Sequence, residues 1–225
     1  MPQTTERETF EVLPIHYEGL VAPPPMVPTP DQLFEYEVEL LVKRGHARYE
    51  DADLFRNRIP DKGLFVFVPP PPERLDLFAL MKKVCLNHTP GANFYINEVS
   101  LGDLGEYPAT ASLLIDVEDG RSRLGTEAIV SLGRIEAEGR RPYNVWRGII
   151  HATLFPWVLQ HHGLDLVGSR SRYGKSFPYL HVKSRVGILE IAAGVAANQP
   201  LLSERLFDKA DPWLGAPSAG GVIVP

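Results

Sequence analysis

A Gly-Lys-Ser triplet at 174–176, with Gly168 upstream, is the first place in this chain where residue types and spacing could do chemistry. A Walker A loop uses such a lysine on nucleotide phosphates, and it needs four residues between its glycines so that successive N–H groups curve around the anion. Five residues separate Gly168 from Gly174. Pro178 then follows Ser176 by two, where a phosphate loop would open a helix, and "FPYLHVKS" reads as a strand. The spacing argues against a nucleotide cradle. What remains is a basic loop carrying Ser169, Arg170, Arg172 and Lys175, with Tyr173 between them. Guanidinium forks suit phosphate and carboxylate, so these residues are a candidate anion or ligand site. The same residues also serve as a solvated turn whose charge offsets an acid-rich stretch over 31–61.

Other chemistry is thinly signalled. Seven histidines are present, but none form an H-x-x-x-H or H-E-x-x-H pair, so no metal site is expected. His161 and His162 fall at a helix end, where imidazoles often complement the dipole. His151, His162 and Asp116 are the candidates for acid–base work. Asp116 and Glu118, in "IDVEDG", would share one face of a strand; two such carboxylates can bind Mg²⁺ or move protons, and they also commonly form an acidic turn. The single cysteine, Cys85, excludes an internal disulfide and reads as a buried apolar residue on a helix. There is no G-x-S-x-G elbow and no G-x-G-x-x-G after a strand, and no cofactor is expected.

The elements that must position these residues follow from composition and period. A chain of 225 residues with 44% hydrophobic content supports a normal core in one domain, or two small ones. The net charge of −5 discourages non-specific nucleic-acid binding. The apolar runs are too short to span a bilayer, and the first residues are charged where a secretory leader is apolar, so a soluble cytoplasmic protein is expected.

Residues 1–30 hold seven prolines and read as an extended arm, with Pro23, Pro24 and Pro25 as candidate partner contacts. Residues 31–194 read as a mixed α/β domain, with an α+β arrangement left open. Residues 195–225, rich in Pro, Gly, Ala and Ser, read as an irregular tail. Trp213 in that tail is the strongest candidate for an interface residue among the three tryptophans.

Thr29, Pro30 and Gln32 predict a helix start, and Gly45 its end, although Phe34, Tyr36, Val38, Leu40 and Val42 alternate with glutamates at strand period. A short helix follows near 49–58. "LFVFV", "NFYINEV", "ASLLIDVEDG", "LDLVG", "PYLHVKS" and "VGILEIAAG" predict strands. "PERLDLFALMKKVCL" and "TEAIVSLGRIEAEG" predict helices, the second interrupted at Gly133. "PYNVWRGIIHATLFPWVLQHHG" predicts a long helix kinked or split at Pro156.

The pieces "VKRGH", "LFVFV", "SLLIDVEDGRSRLG", "LVGSRSRYGKSFPYLHV" and "PWLGAPSAGG" together resemble a bacterial family of roughly 200-residue proteins known only as a domain of unknown function. The resemblance covers most of 31–220 and implies that Gly168, Ser169, Arg170, Trp213 and Gly215 matter. It implies no activity.

Two functional expectations follow. The first is a non-enzymatic binding or assembly component of a larger bacterial or phage-like complex, with a protein partner or a homo-oligomer. The second is a small-molecule enzyme or ligand-binding domain with an anion site at the 168–176 loop.

Overall fold

The structure is a computed structural model; it describes residues 29–93, 101–103, 108–172, 174–182 and 196–225. The arm with Pro23, Pro24 and Pro25 and the strand expected over 186–194 lie outside the described residues, as does most of the strand expected over 93–99.

The punctuation at the first helix wins over its strand-like alternation. α1 (Pro30–Lys43) opens with a complete capping box, in which Thr29 and Gln32 satisfy each other's backbone N–H groups. Its buried face is Leu33, Phe34, Glu37, Val38 and Leu41, which is helical spacing. α2 (Tyr49–Asp53) follows, then β1 (Val66–Val68). α3 (Leu77–Met81) is shorter than expected. It starts late, at the Asp76 side chain, which accepts from Phe78 N and Ala79 N, and it ends before Cys85. Cys85 therefore corrects the helical expectation. It lies in β2 (Cys85–Leu86), paired with β3 (Thr89–Pro90) across Asn87 and His88, both at positive φ as a tight hairpin turn requires.

The middle of the chain supplies β4 (Ala92–Asn93), β5 (Leu101–Asp103), β6 (Ser112–Glu118), a 3-10 turn at Arg121–Arg123, α4 (Ala128–Ala137) and β7 (Arg141–Pro142). α4 runs through Gly133 without interruption. α5 (Val145–Leu154) and α6 (Val158–His161) are the long predicted helix, split at Pro156 as its missing N–H demands. β8 (Gly163–Asp165), β9 (Arg170–Ser171), β10 (Ser176–Val182), β11 (Pro200–Leu206), β12 (Leu214–Gly215) and β13 (Ser218–Ile223) complete the described elements.

The strands form a four-stranded antiparallel sheet, β1-β6-β13-β7, and a five-stranded mixed sheet, β12-β8-β10-β11-β4. The expected irregular tail is thus corrected. β11 is inside the second sheet, β12 is an edge of it, and β13 lies inside the first. The tail's small residues do not mark looseness; they let backbones approach. α5 is buried on every side and contacts β1 of one sheet and β10 of the other. One apolar core runs from Phe34, Phe67 and Leu113 through Trp146 and Ile149 to Leu164, Leu180 and Leu202. It joins both sheets into a single mixed α/β domain.

The free edge of β1 is closed by a carboxylate. Glu37 on α1 accepts from Phe67 N at 2.7 Å, so a backbone donor with no partner strand among the described residues is satisfied inside the core.

Candidate functional site

The Gly-Lys-Ser segment is a turn between β9 and β10. Gly174 sits at φ +65 and donates to Ser171 O, and Ser176 opens a strand rather than a helix. The four candidate residues differ in environment. Ser169 is buried, and its hydroxyl accepts from Val145 N at 3.0 Å, capping the first turn of α5. Gly168 packs directly on the Tyr143 backbone beside it. Arg170, Arg172 and Lys175 point outward into solvent, with Arg170 stacked over the Phe177 ring. Tyr173 lies outside the described residues.

The acidic strand end is used locally. Glu118 accepts from Gly120 N and Ser122 N and pairs with the buried Arg123 at 2.6 Å. Arg123 also pairs with Glu138. Asp116, at φ +50, bonds Arg140, whose guanidinium also reaches Ser218. Asp119 pairs with Arg121. Among the described residues no cluster of three metal-ligating side chains occurs.

The histidines are held inside. His151 takes the Tyr143 hydroxyl at Nδ1 (3.4 Å), and burial pushes it down to about 4. Burial likewise pushes the Tyr143 hydroxyl above the ordinary phenol range. His46 Nε2 donates to Thr153 Oγ1, whose own proton goes to Ile149 O, and burial with Lys83 and Arg44 nearby lowers it to about 3. His162 Nε2 must donate to the Asp119 carbonyl, so its Nδ1 accepts from His161 Nδ1 at 2.8 Å. Glu37 is the opposite case. Its second oxygen has no hydrogen-bond partner among the described residues, and burial raises its pKa well above the usual carboxylate value.

These groups set a two-sided pH profile. As pH falls from 6.5, the unfolded chain protonates His46 and His151 while the native chain does not until about 3 and 4. Stability therefore drops on the acid side by about 1.4 kcal/mol per pH unit per histidine. Glu37 works in reverse. Its contribution is full below 4.5, the value expected in the unfolded chain, and is lost as pH rises toward its raised native value. Glu37→Gln keeps an acceptor for Phe67 N but cannot ionise. Thermal melts should show this variant matching the wild type near pH 4 and exceeding it at pH 8; parallel curves would contradict the assignment.

Two surface features remain. Trp213 is 71% exposed, whereas Trp146 is 2% exposed and donates from Nε1 to Pro69 O. The backbone under Trp213 is held on both sides: its N–H donates to Asp211 Oδ1, and its carbonyl accepts from Gly163 N at 2.7 Å. Gly125 N bonds Leu214 O and Ile129 N bonds Phe207 O, tying the Trp213 loop to the start of α4. Ile129, Val130 and Leu206, also exposed, sit on these same segments.

The second feature is an open cleft of about 610 Å³ beside the start of α5, lined by Glu136, Arg141, Pro142, Arg147, Gly168 and Val222 among others. The stretch "RRPYNVWR" at 140–147 supplies its cations. Nothing in that stretch of sequence shows which of its arginines turn toward a common space.

No family model, curated protein or solved structure matches this chain.

Proposed function

We propose that this chain is a non-enzymatic binding component of a protein assembly, and that Trp213 is the centre of its partner-binding face. The observation that carries the reading is a tryptophan 71% exposed on a backbone pinned at both its N–H and its carbonyl. A large amphipathic ring on a fixed backbone loses little freedom on binding, which is how interface hot spots obtain their energy. Ile129, Val130 and Leu206 are further exposed apolar residues on segments tied to the Trp213 loop by backbone hydrogen bonds. The groups that an enzyme would use for proton transfer are engaged elsewhere: His151 with Tyr143, His162 with the Asp119 carbonyl, and Asp116 with Arg140.

The partner is a second protein or a second copy of the chain. Residues 1–30, with Pro23, Pro24 and Pro25, are assigned to the same role on composition alone. The alternative, a ligand-binding domain with an anion site at 168–176, draws support from the acid-free stretch holding Arg170, Arg172 and Lys175, all three exposed.

Sedimentation velocity over a hundredfold concentration range, with native mass spectrometry of complexes isolated from the source cells, tests this. The expected result is a defined complex that Trp213→Ala weakens by about 30-fold or more, the loss typical of a hot spot. A wild-type chain that is monomeric and alone in both measurements, or a complex indifferent to Trp213→Ala, overturns the reading.

A further inference from the structure

We propose that His161 and His162 form a proton-operated latch on the Trp213 loop, closed while the two rings share one hydrogen bond and opened when both rings are protonated. Its effect on a partner rests on the Trp213 reading; the latch itself does not.

The geometry fixes where the protons sit. His162 Nε2 lies 2.9 Å from the Asp119 carbonyl oxygen, which can only accept, so that nitrogen carries a hydrogen. The two Nδ1 atoms are 2.8 Å apart, so one hydrogen lies between them. A first added proton leaves this bridge intact, because one Nδ1 still accepts from the other. A second added proton can go only to an Nδ1. It sets N–H against N–H and puts two imidazolium charges in contact, so the rings must part.

The surroundings place this event on the acid side of 6.5. Burial lowers both rings from that value, and His162 lowers His161 further. The closed latch is therefore a stabilising contact that is complete above 6.5 and lost as pH falls. On the turn after β6, Asp119 and Glu118 favour the charged form of His162 and Arg121 opposes it. Both carboxylates are already matched, Asp119 by Arg121 and Glu118 by Arg123. His151 on α5 and His181 on β10, whose β-carbon lies beside Gly163, also face this corner. Asp165 on β8 is held by Arg205, and Asp211 on the Trp213 loop by Trp213 N.

The latch lies at the root of the Trp213 loop. The bond from His162 to Asp119 ties the end of α6 to the turn after β6. β12 touches both of these pieces. Gly163, next to His162, donates to Trp213 O at 2.7 Å and pairs with Leu214. Gly120, next to Asp119, packs on the Gly215 backbone. Parting the two rings loosens the grip on β12 from both sides and frees the backbone that presents Trp213. On the Trp213 reading, acid then releases the partner.

The test follows amide hydrogen exchange of the full chain from pH 7.5 to pH 5, with each rate corrected for the intrinsic rate at that pH. The Gly163 amide reads the latch. The Gly148 amide, bonded to Asn144 O inside α5, reads global opening, including any driven by His46 and His151. Gly163 should lose protection relative to Gly148 by about tenfold or more over this range. His161→Asn keeps an N–H donor for His162 but takes no charge, and it should flatten the change. Long-range nitrogen–proton spectra of the histidines should show His162 with its hydrogen on Nε2 at pH 7.5. A constant ratio of Gly163 to Gly148, a wild-type profile in His161→Asn, or His162 with its hydrogen on Nδ1 overturns the proposal. Complex formation over the same pH range separates the two readings. A latch that opens in a chain forming no complex at any pH contradicts the Trp213 reading alone. A complex whose Gly163 protection ignores pH contradicts the latch alone.

Discussion

Arg205→Met is expected to cost about 3–5 kcal/mol, because it strands a buried charge. Asp165 on β8 has no solvent exposure. Arg205 on β11 reaches over β10 to meet it, with Nε at 2.8 Å from Oδ1 and the second guanidinium nitrogen on Oδ2. A third bond runs from Nη1 to Lys209 O and holds the guanidinium in place. Burial still outweighs this attraction and pushes the Asp165 carboxyl up to about 6. Native Asp165 therefore contributes most below 3.8 and loses that contribution as pH rises through about 6. Without Arg205 the native carboxyl becomes harder still to ionise.

The deficit of Arg205→Met should accordingly be largest near pH 7.5 and shrink toward pH 4. Melting curves followed by circular dichroism should show a drop of roughly 10 °C at pH 7.5 for a chain of this size. Adding Asp165→Asn should recover much of it, since the uncompensated charge is gone. A single variant within about 1 kcal/mol of the wild type would put this pair in the class of surface ion pairs. A gap unchanged by pH would remove Asp165 as its cause.

Gly215→Ala is expected to be as damaging, for a steric reason. A β-carbon on Gly215 would overlap the carbonyl oxygen of Gly120 and lie 2.8 Å from its carbon. Both partners are backbone, so no side chain can swing aside. Gly120 itself sits at φ +102, where the chain leaves β6, and Gly215 lies in β12 just before the crossing to β13. The contact is the seam between the two sheets. Moving it shifts β12 against β8 in one sheet and β13 against β6 in the other. The loss should exceed about 3 kcal/mol, at the upper end for overpacking. Gly133→Ala is the matched control. Nothing lies within 4 Å of its added carbon, and it should gain about 0.5–1 kcal/mol as a helix-interior glycine. Denaturant melts of the two variants check the pair of signs. Equal effects would mean that the glycine seam is not rigid.

The tail around Gly215 marks where sequence reading failed. Pro, Gly, Ala and Ser over 195–225 look like looseness, because composition is silent about partners. In the folded chain, Gly215 and Gly163 are small because a strand or a side chain sits where their β-carbons would be. The basic loop shows a related limit of local pattern. Ser169, Arg170, Arg172 and Lys175 are neighbours along the chain, but they straddle the short β9 and the turn after it, so they do not share one environment. Ser169 went inward to cap α5, and the cations went out. Cys85 was misplaced because a hairpin turn at Asn87 and His88 carries no glycine to announce it.

By itself the sequence determined whatever depends on nearest neighbours. The capping box at Thr29, the break at Pro156, the strand identity of "LFVFV" and the wrong spacing of the Gly-Lys-Ser loop are all local events, each decided by a few bonded or hydrogen-bonded residues. The mixed α/β class follows from those elements together. Tertiary structure alone decided the rest. It put a glutamate on the apolar face of α1 to close a sheet edge, joined Asp165 to Arg205 over an intervening strand, and brought Gly120 against Gly215. Each of those pairs is far apart in the chain. Burial and ladder register, which no local pattern encodes, decide whether they meet.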